Sequence, residues 1–117
     1  VGIEKGIEKG IISLLEMMGA WVFKVHGHLG QRAGVPDILA CLNGRFIGIE
    51  VKAPEREIVV VRRGKAGRRK LRGGKLSEKQ AVELEAIRRA GGVAIVAWGV
   101  EDAIRKLEES GIKTPFR

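Results

Sequence analysis

The sequence predicts an α/β fold, a small central mixed β-sheet flanked by helices, with a basic arm inserted into it. Three observations carry that reading. Apolar residues recur at helical spacing in three separate segments, two β-prone runs meet across Asn43-Gly44, and residues 56–75 gather the positive charge. At 117 residues the chain is of single-domain size. One domain over 1–117 is expected, able to bury roughly two thirds of its unfolded surface.

The first helix is read over 3–18, where Ile3, Ile7, Ile11, Leu14, Leu15 and Met18 form one stripe. Gly6 and Gly10 weaken it, each by up to about 1 kcal/mol relative to Ala, and Gly19 is its natural stop. "WVFKV" follows as a short strand, and residues 26–34 as a loop. His26 and His28 sit two apart in that loop, but no further His and one Cys leave a zinc site without ligands.

Two strands are read next, over 36–42 and 45–51. Asn-Gly between apolar runs favours a two-residue type I′ turn, which needs positive φ at both central residues. Pro36 lacks an N–H and suits a first strand residue. Cys41, inside an apolar run, is expected to be buried as a small hydrophobe. In the arm, "EIVVVRR" is β-prone, and "GKAG" would turn it back through "RRKLR" as a protruding hairpin.

Ser77 opens a second helix with Ala81, Leu84, Ala86, Ile87 and Ala90 among its apolar positions, ending at Gly91-Gly92. "VAIVAW" reads as a strand buried on both faces. A last helix, "VEDAIRKLEESG", carries acids at its start, bases later and a glycine stop.

The net charge of +8 is unevenly placed. Residues 56–75 hold nine Lys or Arg and one Glu; of the chain's 22 basic and 14 acidic side chains, 13 of each remain elsewhere. A neutral body with one cationic segment is the footprint of nucleic-acid binding. Arg62, Arg63, Lys65, Arg68, Arg69, Lys70, Arg72 and Lys75 are the candidate DNA contacts. A solvated loop is the alternative.

No run approaches the roughly 18 apolar residues of a membrane span. The charged, glycine-punctuated N-terminus does not read as a secretory signal. One cysteine forms no internal disulfide. An intracellular location with the DNA is expected, in a host left open, a virus included.

"GVPDILACLNGRFIGIEVKAP", residues 34–54, sets three charges in an apolar hairpin. If Leu42 faces Arg45, residues whose numbers sum to 87 are opposed, so Asp37 lies against Glu50. Opposed residues have Cβ atoms about 4.5–5.5 Å apart, and like charges there repel. Two such carboxylates suit a cation, and oxygen-only ligation points to Mg²⁺ or Mn²⁺. Lys52 follows Glu50 by two and shares its face, where an ammonium can orient water and stabilise charge on a phosphate. A loop end at Asp37 and an exposed Glu50–Lys52 pair would fit the same spacing.

These residues resemble the PD-(D/E)XK nuclease superfamily, and specifically its VRR-NUC branch. The segment at 34–54 is similar to that branch's central signature, and "KLSEKQAVELEAIRRAGGVAIVAW" to its following helix and strand. The arm at 56–75 is longer than the usual link. The resemblance implies a restriction-endonuclease-like core and a metal-dependent DNA endonuclease leaving 5′-phosphate and 3′-hydroxyl ends. Asp37 and Glu50 would be metal ligands, the Val51 carbonyl a third, and Lys52 the catalytic lysine. A first-helix glutamate would complete the site, with Glu4, Glu8 and Glu16 in competition. Similarity to archaeal Holliday-junction resolvases favours Glu8, through its spacing from Leu14-Leu15 and Gly19. Gln80 closes a capping box with Ser77, while family position implies an active-site role for it. Stand-alone members resemble junction-resolving homodimers, so a dimeric resolvase acting on branched DNA is the implied function. A nicking, flap-type or exonuclease acting in repair would use the same residues; a non-catalytic DNA-binding domain is a further alternative.

Overall fold

The computed structural model describes residues 2–27 and 30–116. Helix α1 (Ile3–Met17) leads through Gly19 (φ 87°) into strand β1 (Trp21–Lys24). β2 (Ile38–Leu42) and β3 (Arg45–Val51) follow as a hairpin. The arm is a second hairpin, β4 (Arg56–Arg62) and β5 (Lys65–Leu71). Then come α2 (Glu78–Arg89), β6 (Val93–Ala97) and α3 (Val100–Glu109).

The central sheet runs β1-β2-β3-β6, antiparallel except for the parallel β3–β6 pair, so it is mixed. Asn43 (φ 51°) and Gly44 (φ 80°) make the expected turn, with Leu42 opposite Arg45 and Ile38 opposite Ile49. Strand alternation sorts the side chains into two layers. Ile38, Ala40, Leu42, Ile47, Ile49, Val51, Val93, Ile95 and Ala97 are buried on one face. There they pack with Ile11 and Leu15 of α1 and Ala103 and Leu107 of α3. Helix α2 lies on the other face. A Cβ at Gly48 would come within 2.9 Å of Ile87 Cδ1, so this glycine lets helix and strand approach. The start of α3 is held by Asp102, whose carboxylate accepts from the Trp98 N–H at 3.0 Å. Burial pushes that carboxyl up, but this bond and the Lys106 and Arg105 side chains outweigh it and hold it below its usual range.

Several local expectations are corrected. Cys41 is exposed, because α2 covers β3 and β6 but leaves the outer face of β1 and β2 bare. Trp21, Phe23 and Phe46 are exposed on that same bare face. The first hairpin strand begins at Ile38 rather than 36, leaving Pro36 and Asp37 at its mouth. The arm turns at Arg63-Gly64 (φ 51° and 74°), not through "GKAG", because a two-residue turn matches the twist of the flanking strands. Along α2 only Leu84 is fully buried; Ile87 is half-buried, and Ala81, Ala86 and Ala90 are exposed. His26 is exposed, and His28 lies outside the described residues. Among the described residues no helix is long and apolar enough to cross a membrane.

Candidate active site

The mouth of the β2–β3 hairpin brings Asp37, Glu50 and Lys52 together, and the start of α2 adds Gln80. Asp37 is anchored twice. Its main-chain carbonyl accepts from the Val25 N–H at 2.8 Å, which extends the β1–β2 pairing by one step. Its side-chain Oδ2 accepts from the Val51 N–H at 2.7 Å. Val51 is thus tied to the site through its backbone while its side chain stays in the core.

Glu50 is 2% exposed. Its Oε2 accepts from Gln80 Nε2 at 3.1 Å and lies 3.6 Å from Lys52 Nζ. Its Oε1 is buried with no hydrogen-bond partner among the described residues. Burial, followed by the close approach and the charge of Asp37, raises the Glu50 pKa to about 8, against the smaller opposing pull of Lys52. In the metal-free protein Glu50 therefore holds its proton well above the usual carboxylate range. The pair it makes with Lys52 is largely buried, unlike the exposed pair that spacing alone allows.

Gln80 closes the capping box and also reaches Glu50. Its backbone N–H donates to Ser77 Oγ and its Oε1 accepts from the Ser77 N–H, a complete capping box. The remaining Nε2 reaches Glu50. Lys52 is held under the base of the arm, where a Cβ on Gly74 would sit 3.2 Å from its Cδ. Gly74 itself donates to the Ala53 carbonyl at 2.9 Å.

The three first-helix glutamates separate. Glu16 is exposed. Glu4 accepts from the Ala53 N–H at 3.2 Å, close to Lys52 in sequence. Glu8, 8% exposed, pairs with Lys24 Nζ at 2.7 Å. Among the described residues no three His, Cys, Asp or Glu side chains are grouped to hold a metal ion, so Glu8 is not gathered with Asp37 and Glu50. Sequence reasoning misses Lys24; a lysine inside a short apolar strand is the signal that could have found it. Of the candidate DNA contacts, Arg62, Lys65, Arg68, Arg69 and Lys70 lie on the arm's strands. Arg63 is in its turn, and Arg72 and Lys75 follow β5.

The donor chemistry fits a hard divalent cation in part. Two carboxylates converge, and one buried oxygen lacks a donor, which is the kind of unmet acceptor a metal ion satisfies. No family model matches the chain, and no curated protein does. Among solved structures it is similar to Hjc of Archaeoglobus fulgidus, a Holliday junction resolvase from an archaeal hyperthermophile. The two superpose with a TM-score of 0.51 at 22% identity, over 80% of this chain and 65% of that one. This chain thus spans a little under two thirds of that protein's length, and the likeness is one of fold: a restriction-endonuclease-like α/β core.

Proposed function

We propose that the chain is a single nuclease domain of the VRR-NUC branch, with a basic insertion, that hydrolyses phosphodiester bonds in branched DNA. Four-way junctions are the proposed substrate, in keeping with the likeness to Hjc. The observation that carries this reading is the buried, partnerless Oε1 of Glu50 beside Asp37, with Lys52 at hand. A structural ion pair does not need a second carboxylate pressed against it; a site for a cation does.

Asp37 and Glu50 would hold Mg²⁺ or Mn²⁺, with the Val51 carbonyl, and Glu8 after release from Lys24, as further ligands. Bound there, the ion would polarise the scissile phosphate and lower the pKa of the attacking water. The residues themselves divide the remaining work. Lys52 faces the same side as Glu50 and places positive charge where the phosphate gains negative charge. Gln80 keeps Glu50 oriented. Loading the site requires Glu50 to give up its proton, so metal affinity, and with it cleavage at subsaturating metal, rises with pH toward about 8.

A junction needs two cuts, which favours a homodimer. The bare sheet face supports a second copy: Trp21, Phe23 and Phe46 are exposed there beside Cys41, and the Trp21 and Phe23 rings stack 6.2 Å apart. Trp21→Glu is expected to shift such a dimer to monomer in sedimentation. The test of function is incubation of labelled four-way, flap, duplex and single-stranded DNA with and without Mg²⁺. Paired symmetric cuts in the four-way substrate are expected. Cleavage confined to the other substrates would make it a repair nuclease, and metal-independent binding without cleavage would reject the reading.

A further inference from the structure

We infer that one face of the arm, carrying Arg56, Arg62, Lys65 and Arg69, is the surface that lies against duplex DNA; this rests on the nuclease reading above. Directly opposed residues of an antiparallel ladder share a face, and faces alternate along each strand. In the arm, Arg62 opposes Lys65, Val60 opposes Gly67, Ile58 opposes Arg69 and Arg56 opposes Leu71, which collects these residues on one side. Glu57, Val59, Val61, Ala66, Arg68 and Lys70 take the other.

The two faces differ in charge balance. On the second, Arg68 pairs with Glu57 at 3.5 Å and Lys70 with Glu55 at 3.1 Å, so its cations are already answered. The first face holds no carboxylate. Arg62, Lys65 and Arg69 make no side-chain hydrogen bond or ion pair with any described residue, and Arg56 donates only to the Pro54 carbonyl, at 3.2 Å. Unanswered cations are the ones whose counterions a polyanion releases on binding.

Shape agrees with charge. Gly67 sits amid the first face, and a Cβ there would meet only the Val60 carbonyl, at 4.0 Å. Between Lys65 and Arg69 the backbone is therefore open to a close-lying phosphate. The most exposed valines, Val59 (69%) and Val61 (66%), point the other way. No other element touches β4 or β5 among the described residues, so the ribbon is free to be laid on a partner. Two strands about 5 Å apart enter a major groove about 12 Å wide.

The test measures binding to a junction with duplex arms in EDTA, where metal and cleavage play no part, across a range of salt. Replacing Arg62, Lys65 and Arg69 by Gln should lower the slope of log affinity against log salt by about 0.9 for each phosphate no longer neutralised. Replacing Arg68 and Lys70 by Gln should leave the slope near that of the parent. A charge-keeping variant, Lys65→Arg with Arg69→Lys, should retain the parent slope and so exclude misfolding as the cause. Equal reductions from both faces, a larger reduction from the second, or none from either would overturn the inference. Unchanged slopes with metal-dependent cleavage intact would sink this inference alone; absence of any DNA binding by the parent would sink the proposed function with it.

Discussion

The β2–β3 hairpin turns through Asn43-Gly44 and the β4–β5 hairpin through Arg63-Gly64, with φ angles of 51° and 80° in one and 51° and 74° in the other. Both ladders begin at the residues flanking the turn, and neither slips. One has helices against both faces of β3 and keeps Glu50 out of water; the other touches no further helix or strand among the described residues and lines its strands with cations. The turn sets which residues face each other, but the neighbours decide what that facing means. In the covered hairpin, burial and then the neighbouring Asp37 lift the Glu50 pKa. In the bare one opposition sorts charges onto two sides of a ribbon.

The largest expected effect breaks the covered hairpin's chemistry. Asp37→Asn or Glu50→Gln should lower Mg²⁺-dependent cleavage by more than the roughly 100-fold seen on removing residues that merely support metal ligands. Near-normal cleavage by either variant would remove that residue from the site. Lys52→Ala should slow single-turnover cleavage by roughly a hundredfold or more while metal affinity, read by calorimetry, holds.

A second contrast uses one glycine from each hairpin. Gly48→Ala drives a Cβ toward Ile87 and Pro36, at 2.9 and 3.2 Å, and should destabilise by about 1–3 kcal/mol in urea unfolding. Gly67→Ala meets open space and should be neutral, or stabilising by up to about 1 kcal/mol. Equal destabilisation would mean that the arm is packed against something after all.

The pH dependence sharpens the same difference. A carboxyl whose pKa is near 8 folded and near 4.5 unfolded favours the fold fully below about 4.5. That contribution is lost as pH rises toward 8, by up to roughly 1.4 kcal/mol per pH unit. Metal-free Glu50→Gln should therefore gain stability over the parent as pH climbs through this window. A constant gap would place Glu50 in a wetter setting. The smallest effect concerns the arm: replacing 58–70 by a short Gly-Ser turn should leave the melting temperature of the metal-free protein nearly unchanged.

What the sequence reveals follows the reach of each signal. Asn43-Gly44 is a local instruction with a fixed geometric consequence, so the register from Ile38–Ile49 to the turn is legible, and with it the closeness of Asp37 to Glu50. The order of helices and strands is legible from periodicity. Cys41 escapes because an apolar run says that a strand is buried without saying on how many faces. The Glu8–Lys24 pair is hidden for a related reason: it joins a helix to a strand across a packing interface that no spacing encodes. The arm's turn lies two residues before the centre of "GKAG" because Gly64, the first glycine of that run, takes the second place of a two-residue turn.

Gln80 has a consequence beyond its two bonds. With its carbonyl oxygen held by Ser77 and its amino group by Glu50, the amide is locked against rotation by 180°. It presents hydrogens, never a lone pair, to the carboxylate. The first turn of α2 and the orientation of Glu50 are thereby joined: fraying of the helix start sets the carboxyl loose. The helix start acts as a latch on the Glu50 carboxyl.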